Sequence, residues 1–146
     1  MEFFSRLIRA VTELHPLHPM MVHFPIGLTG AACLFILLAL WRRNKELEQA
    51  AFFNLVLAAV GAFAAGLAGL RDNIVRYDGG AANIQIKIVL GIVLFILTAL
   101  AAIVRWKKPD ILWKPSTRIF YVAAFVVSFA LAILLGFLGG VILYGF

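Results

Sequence analysis

The sequence predicts an all-α fold: a polytopic membrane protein, an antiparallel four-transmembrane-helix bundle with a short amphipathic N-terminal helix. Three observations predict it. The 146 residues are 64% apolar and only 14% charged, where soluble domains run at about 45–50% and about 25%. Mean hydropathy is +1.01. The apolar residues are also gathered into four runs, at about 19–41, 50–70, 84–105 and 118–144. Each meets the requirement of about 20 apolar residues to cross about 30 Å of hydrocarbon. Residues 1–146 therefore read as a single membrane domain. An ordinary soluble enzyme and a disordered chain are both excluded by this composition.

Residues 1–16 form an interfacial amphipathic segment. Phe3, Phe4, Leu7, Ile8, Val11 and Leu14 recur at helical spacing, with Glu2, Ser5, Arg6, Arg9, Thr12 and Glu13 on the other side. Such a helix suits the headgroup plane, or it extends the bundle. Arg6 and Arg9 before an apolar run have the order of a signal peptide. The interrupting acids and histidines and the long run argue for an uncleaved first span. The lone Cys33 permits no intrachain disulfide and reads as a packing residue in the first span.

None of the four runs carries a charge in its middle, and Lys87 lies near the start of the third, where its stem can snorkel. The polar connectors 42–49, 71–83 and 105–118 are short, so neighbouring helices run antiparallel. The net charge of +6 sits in these connectors and predicts topology, with no nucleic acid as partner. Arg42, Arg43, Lys45, Arg105, Lys107, Lys108, Lys114 and Arg118 lie on one side; Arg6, Arg9, Arg71, Arg76 and Lys87 lie on the other. The excess of Lys and Arg places connectors one and three in the cytoplasm and both termini outside. Trp41, Trp106 and Trp113 then fall on the cytoplasmic boundary as belt residues.

Small residues recur where helices could meet closely: Ala58, Ala62 and Gly66 with Ala65 and Gly69 in the second span, and Gly136 and Gly140 at GxxxG spacing in the fourth. They predict packing within the chain or between two copies. Asn54, Thr98 and Ser128 are expected to bond between helices or back to their own carbonyls.

One stretch departs from this pattern. Residues 14–27, LHPLHPMMVHFPIG, hold all three histidines and three of the five prolines. His15, His18 and Phe24 each precede a proline and are pushed from helical geometry. Residues 15–19 are therefore expected to be extended, with the helix beginning near Pro19 and kinked at Pro25. Imidazole ligates metals and haem iron. His15, His18 and His23 are the candidate ligands for haem b or a transition metal. Met20 and Met21 add thioethers suited to copper(I), and Asp72 is a candidate to orient a histidine or to pair with Arg71 or Arg76. On one helix His18 and His23 would point about 140° apart, so a bis-histidine haem needs a second copy, a partner subunit or a methionine. The alternative is a set of interfacial hydrogen-bonding histidines with prolines shaping the helix start.

The run from His15 to Gly27 resembles the signature of a family of small four-helix bacterial membrane proteins, defined only as a domain of unknown function. Gly69-Leu70-Arg71-Asp72 resembles the end of that family's second helix. The family's pattern includes a histidine near the start of the third helix, whereas residues 81–87 here, AANIQIK, have none. The resemblance implies the bacterial inner (cytoplasmic) membrane and a respiratory, electron-transport setting.

Hydrolytic and nucleotide-loop motifs are absent from the sequence, so no independent catalytic activity is expected. Transport is disfavoured by the few polar groups near mid-membrane. The expected function is a redox-associated membrane protein with haem b or a metal on the outer His-Pro cluster. The alternative is a cofactor-free accessory subunit of a larger membrane complex. Expected partners are the lipid bilayer and either a second copy, as a homo-oligomer, or another membrane subunit.

Overall fold

The computed structural model describes residues 2–9 and 17–144, except for the side chains of Leu7, Arg9 and residues 142–144. Its helices are α1 (Glu2–Arg9), α2 (Leu17–Arg42), α3 (Lys45–Tyr77), α4 (Ile84–Lys107) and α5 (Pro115–Tyr144). No strand occurs among the described residues. Helices α2 to α5 are each long and apolar enough to cross a membrane. In α1, Glu2 and Arg6 pair on the exposed face at 3.7 Å.

The links are tight and locally capped. Arg43 takes positive φ, and Asn44 caps α3 by accepting the Leu47 N–H at 2.9 Å. At the far end of α3, Asp78 and Gly79 both take positive φ, and the Gly79 N–H donates to the Asn73 carbonyl at 3.0 Å. The Asn73 side chain also accepts from the Ala81 N–H at 3.1 Å. The α4–α5 link tucks Ile111 and Leu112 into the core, and Thr117 donates to the Ile111 carbonyl at 2.7 Å. Links this short make consecutive helices antiparallel. Each helix packs on its two neighbours in the ring α2–α3–α4–α5, and α2 against α3 is the most extensive interface.

Along α3 most small residues face inward and most large ones outward. Ala51, Ala58, Ala59, Ala62, Ala65 and Ala68 of α3 are buried, while Phe53, Leu57, Val60, Phe63 and Leu67 of the same helix are exposed. A soluble bundle would be built the other way round. In lipid, exposing a large apolar side chain carries no penalty, and small residues let backbones approach. Ile36, Leu55 and Phe125 fill the middle of the core.

Particular glycines mark close approaches. A Cβ at Gly61 would sit 3.3 Å from Cδ of Pro25, and one at Gly30 would sit 3.0 Å from the Phe129 ring. Pro25 is buried within α2, which continues through it. The Thr29 hydroxyl donates to the Pro25 carbonyl at 2.6 Å. Asn54 and Thr98 likewise bond to their own helices, at Ala50 and Leu94. Ser128 is fully buried with no partner for its hydroxyl among the described residues. Cys33 packs in the interior.

Candidate functional site

Polar side chains collect at the two ends of the bundle. At one end, α2 begins beside the last turns of α3. The helix starts at Leu17, so His18 and Pro19 lie in its first turn, and their expected extended geometry does not hold. The physical reason is tertiary. The first N–H groups of a helix have no partner within it. Here the His18 N–H donates to Asp72 Oδ2 at 2.8 Å. A carboxylate at a helix N-terminus also meets the positive end of its dipole. Pro19 has no N–H to lose, which suits a first turn. Asp72 is buried, and its other oxygen accepts from Arg71 Nη1 at 2.9 Å. Asp72 thus holds the main chain of His18 rather than its ring.

The ring is fixed from another direction. His18 Nδ1 lies 2.9 Å from the carbonyl oxygen of Ala65. A carbonyl only accepts, so Nδ1 carries the proton of that bond and Nε2 is left with its own lone pair when the ring is neutral. Gly69 makes this placement possible, since a Cβ there would come within 2.9 Å of Nδ1.

Beside the ring is a cleft of about 90 Å³ to which all four long helices contribute. Its walls are mostly apolar, from Val22, Pro25, Ile26, Leu94 and Leu135, and its polar side chains are His18 and Lys87. Gly66 and Gly136 also line it. A Cβ on Gly66 would meet nothing within 4 Å, whereas one on Gly136 would touch Cδ1 of Ile26 at 3.0 Å. Gly66 therefore opens the cleft, and Gly136 seats Ile26. Gly140 lies half-buried further along α5.

His18 and His23 are not brought together. His23 is exposed, and its Nδ1 lies 2.5 Å from the Pro19 carbonyl one turn back on α2. Met20 and Met21 are exposed on the same helix and do not line the cleft. His15 lies outside the described residues. Among the described residues, no three His, Cys, Asp or Glu side chains are grouped to hold a metal ion.

The other end carries a cluster that sequence reasoning missed. Glu48, 2% exposed, accepts from Arg105 Nε at 2.5 Å and from Nη2 at 2.7 Å. The Tyr121 hydroxyl stands 3.4 Å from the same carboxylate, and the guanidinium lies over the Phe52 ring at 5.2 Å. This pair joins α3 to α4 at the end opposite His18. A signal was present. Glu48 continues the buried face of Ala51, Phe52, Leu55 and Ala58 by one turn, and Arg105 continues that of Thr98, Ala101 and Ala102. In the sequence both stand at the edges of apolar runs, within the polar connectors 42–49 and 105–118.

Four membrane-length helices with small residues inward and large ones outward define a multi-pass helical membrane protein. The chain belongs to the family described as "Predicted membrane protein (DUF2231)", whose model matches residues 14–146. No curated protein and no solved structure matches it.

Proposed function

We propose that this chain is a small redox-associated membrane subunit that holds haem b or a transition-metal ion through His18. The single observation that carries this is the Nδ1 hydrogen bond to the Ala65 carbonyl. Histidines that ligate metals donate their other ring N–H to a carbonyl or carboxylate, which fixes the tautomer and orients the ring. His18 has that arrangement, with Nε2 as its free donor atom. The cleft is about 90 Å³, a few times the volume share of one water. It suits an ion or the edge of a larger group lying across the mouth. Among the described residues neither His23 nor Met20 nor Met21 lines the cleft, so a further ligand would come from a residue outside the described ones, from a second copy or from a partner subunit. When bound, such a group supplies one-electron chemistry. The distribution of Lys and Arg supports a setting on the outer side of the membrane.

The test is an absorption spectrum and metal analysis on detergent-purified protein. A visible band or stoichiometric metal is expected, lost in His18→Ala and kept in His23→Ala. A colourless, metal-free wild type, or a signal indifferent to His18, would overturn the assignment. A second reading is a cofactor-free accessory subunit that docks on a larger membrane complex. It is supported by an apolar groove of about 410 Å³ between α3 and α4, where Ala59, Ala99 and Ala102 lie beside Phe63 and Phe95. Small residues between larger ones are shaped to receive a neighbouring helix. That reading expects a colourless protein that copurifies with its complex.

A further inference from the structure

Lys87 is half-buried one turn into α4 and lines the cleft opposite no carboxylate. Its ammonium makes no hydrogen bond or ion pair with any described side chain, and Asp72, the acid that holds the His18 main chain, is also engaged by Arg71. A cation against apolar walls is costly unless a partner offsets it. His18 lines the same space. The remaining lining is aliphatic or glycine, and its volume matches a small polar head.

We infer that the cleft binds the oxyanion head, a carboxylate or phosphate, of a lipid-soluble molecule, with Lys87 as the charged partner beside His18. This rests on the reading that the His18 cleft is the binding site, and it narrows the ligand: a bare metal cation would face the charge of Lys87, whereas a group that brings its own oxyanion is matched to it. The apolar walls accept the first carbons of a tail.

The test uses the full chain in neutral detergent micelles. Binding of a long-chain fatty acid is compared with that of the fatty alcohol of equal length, and phosphatidic acid with diacylglycerol, by native mass spectrometry and competition. The oxyanion member of each pair should bind at least about tenfold more tightly, the scale of one charge-assisted hydrogen bond. Lys87→Gln should abolish that preference and Lys87→Arg should keep it, with thermal unfolding checking that both variants fold. Inorganic phosphate is added in a separate arm. Displacement of the fatty acid assigns recognition to the head alone, and retention assigns it to head and tail together; both support the site. Equal binding within each pair, or a preference that survives Lys87→Gln, overturns it. A coloured or metal-loaded wild type whose Lys87→Gln variant shows unchanged lipid binding would sink this inference and leave His18 coordination standing. A colourless protein with Lys87-dependent binding would do the reverse.

Discussion

Arg105→Ala would remove both donors from a carboxylate that is 2% exposed. Two charge-assisted bonds, at 2.5 and 2.7 Å, vanish together, and among the described residues Glu48 keeps only the Tyr121 hydroxyl at 3.4 Å. Breaking one side of a buried ion pair costs about 3–5 kcal/mol, because the surviving charge is left in low dielectric. Loss of the guanidinium over Phe52 adds about 0.5–1 kcal/mol. An ordinary interhelical hydrogen bond in a membrane averages about 0.6 kcal/mol, so the expected loss stands well clear of that background. Reversible unfolding in mixed detergent micelles measures it. Trp113 serves as the reporter, since it is half-buried against the core that Glu48 caps. The double variant Glu48→Leu/Arg105→Leu removes both charges and should recover most of the loss, giving a coupling of several kcal/mol. A loss below about 1 kcal/mol for Arg105→Ala, or simple additivity in the double variant, would refute the claim that this pair is buried and mutually dependent.

Gly69→Ala should displace the His18 imidazole, because its Cβ would sit 2.9 Å from Nδ1; a cost of about 1–3 kcal/mol and loss of the His18–Ala65 bond in histidine ¹⁵N spectra are expected. Gly66→Ala, with nothing within 4 Å of its Cβ, should leave both unchanged or gain about 0.5–1 kcal/mol of helix stability. Ser128→Ala should be neutral or stabilising, since it removes a buried hydroxyl that has no partner; a clear drop in thermal stability would show that the hydroxyl is satisfied in the protein. Asp72→Ala should cost about 0.5–2 kcal/mol as a lost helix cap and speed hydrogen exchange at the His18 amide, with amides deeper in α2 unaffected.

The four long helices were legible because length and hydropathy are properties of each segment alone. The His18 end was only half legible. Its residue types stood out, but their partners were set by tertiary packing. The pre-proline rule spoke for extended geometry at His18, and a carboxylate from α3 overrode it. Gly69 reads in the sequence as a small residue for helix contact, whereas its neighbour is an imidazole ring. Glu48 and Arg105 stand at span ends, where a charge in the sequence looks the same whether it faces water or a partner. Their place on the buried faces of α3 and α4 needed the helical period to be carried one turn past the apolar run. The hydroxyls of Thr29 and Thr98 behave as local rules expect, each bonding four residues back. Ser128 does not, and nothing in its neighbourhood explains that difference.

The beginning of α2 is written elsewhere in the chain. The amide proton of His18 finds its acceptor 54 positions downstream, on a helix made later in synthesis. Until α3 has been laid alongside, the first turn of α2 lacks the group that ends its search for a partner, and the imidazole has no surface to rest on. The histidine end of the bundle is thus a product of assembly, complete only after the second hairpin arm has docked, whereas the apolar middle of α2 is helical by its own composition.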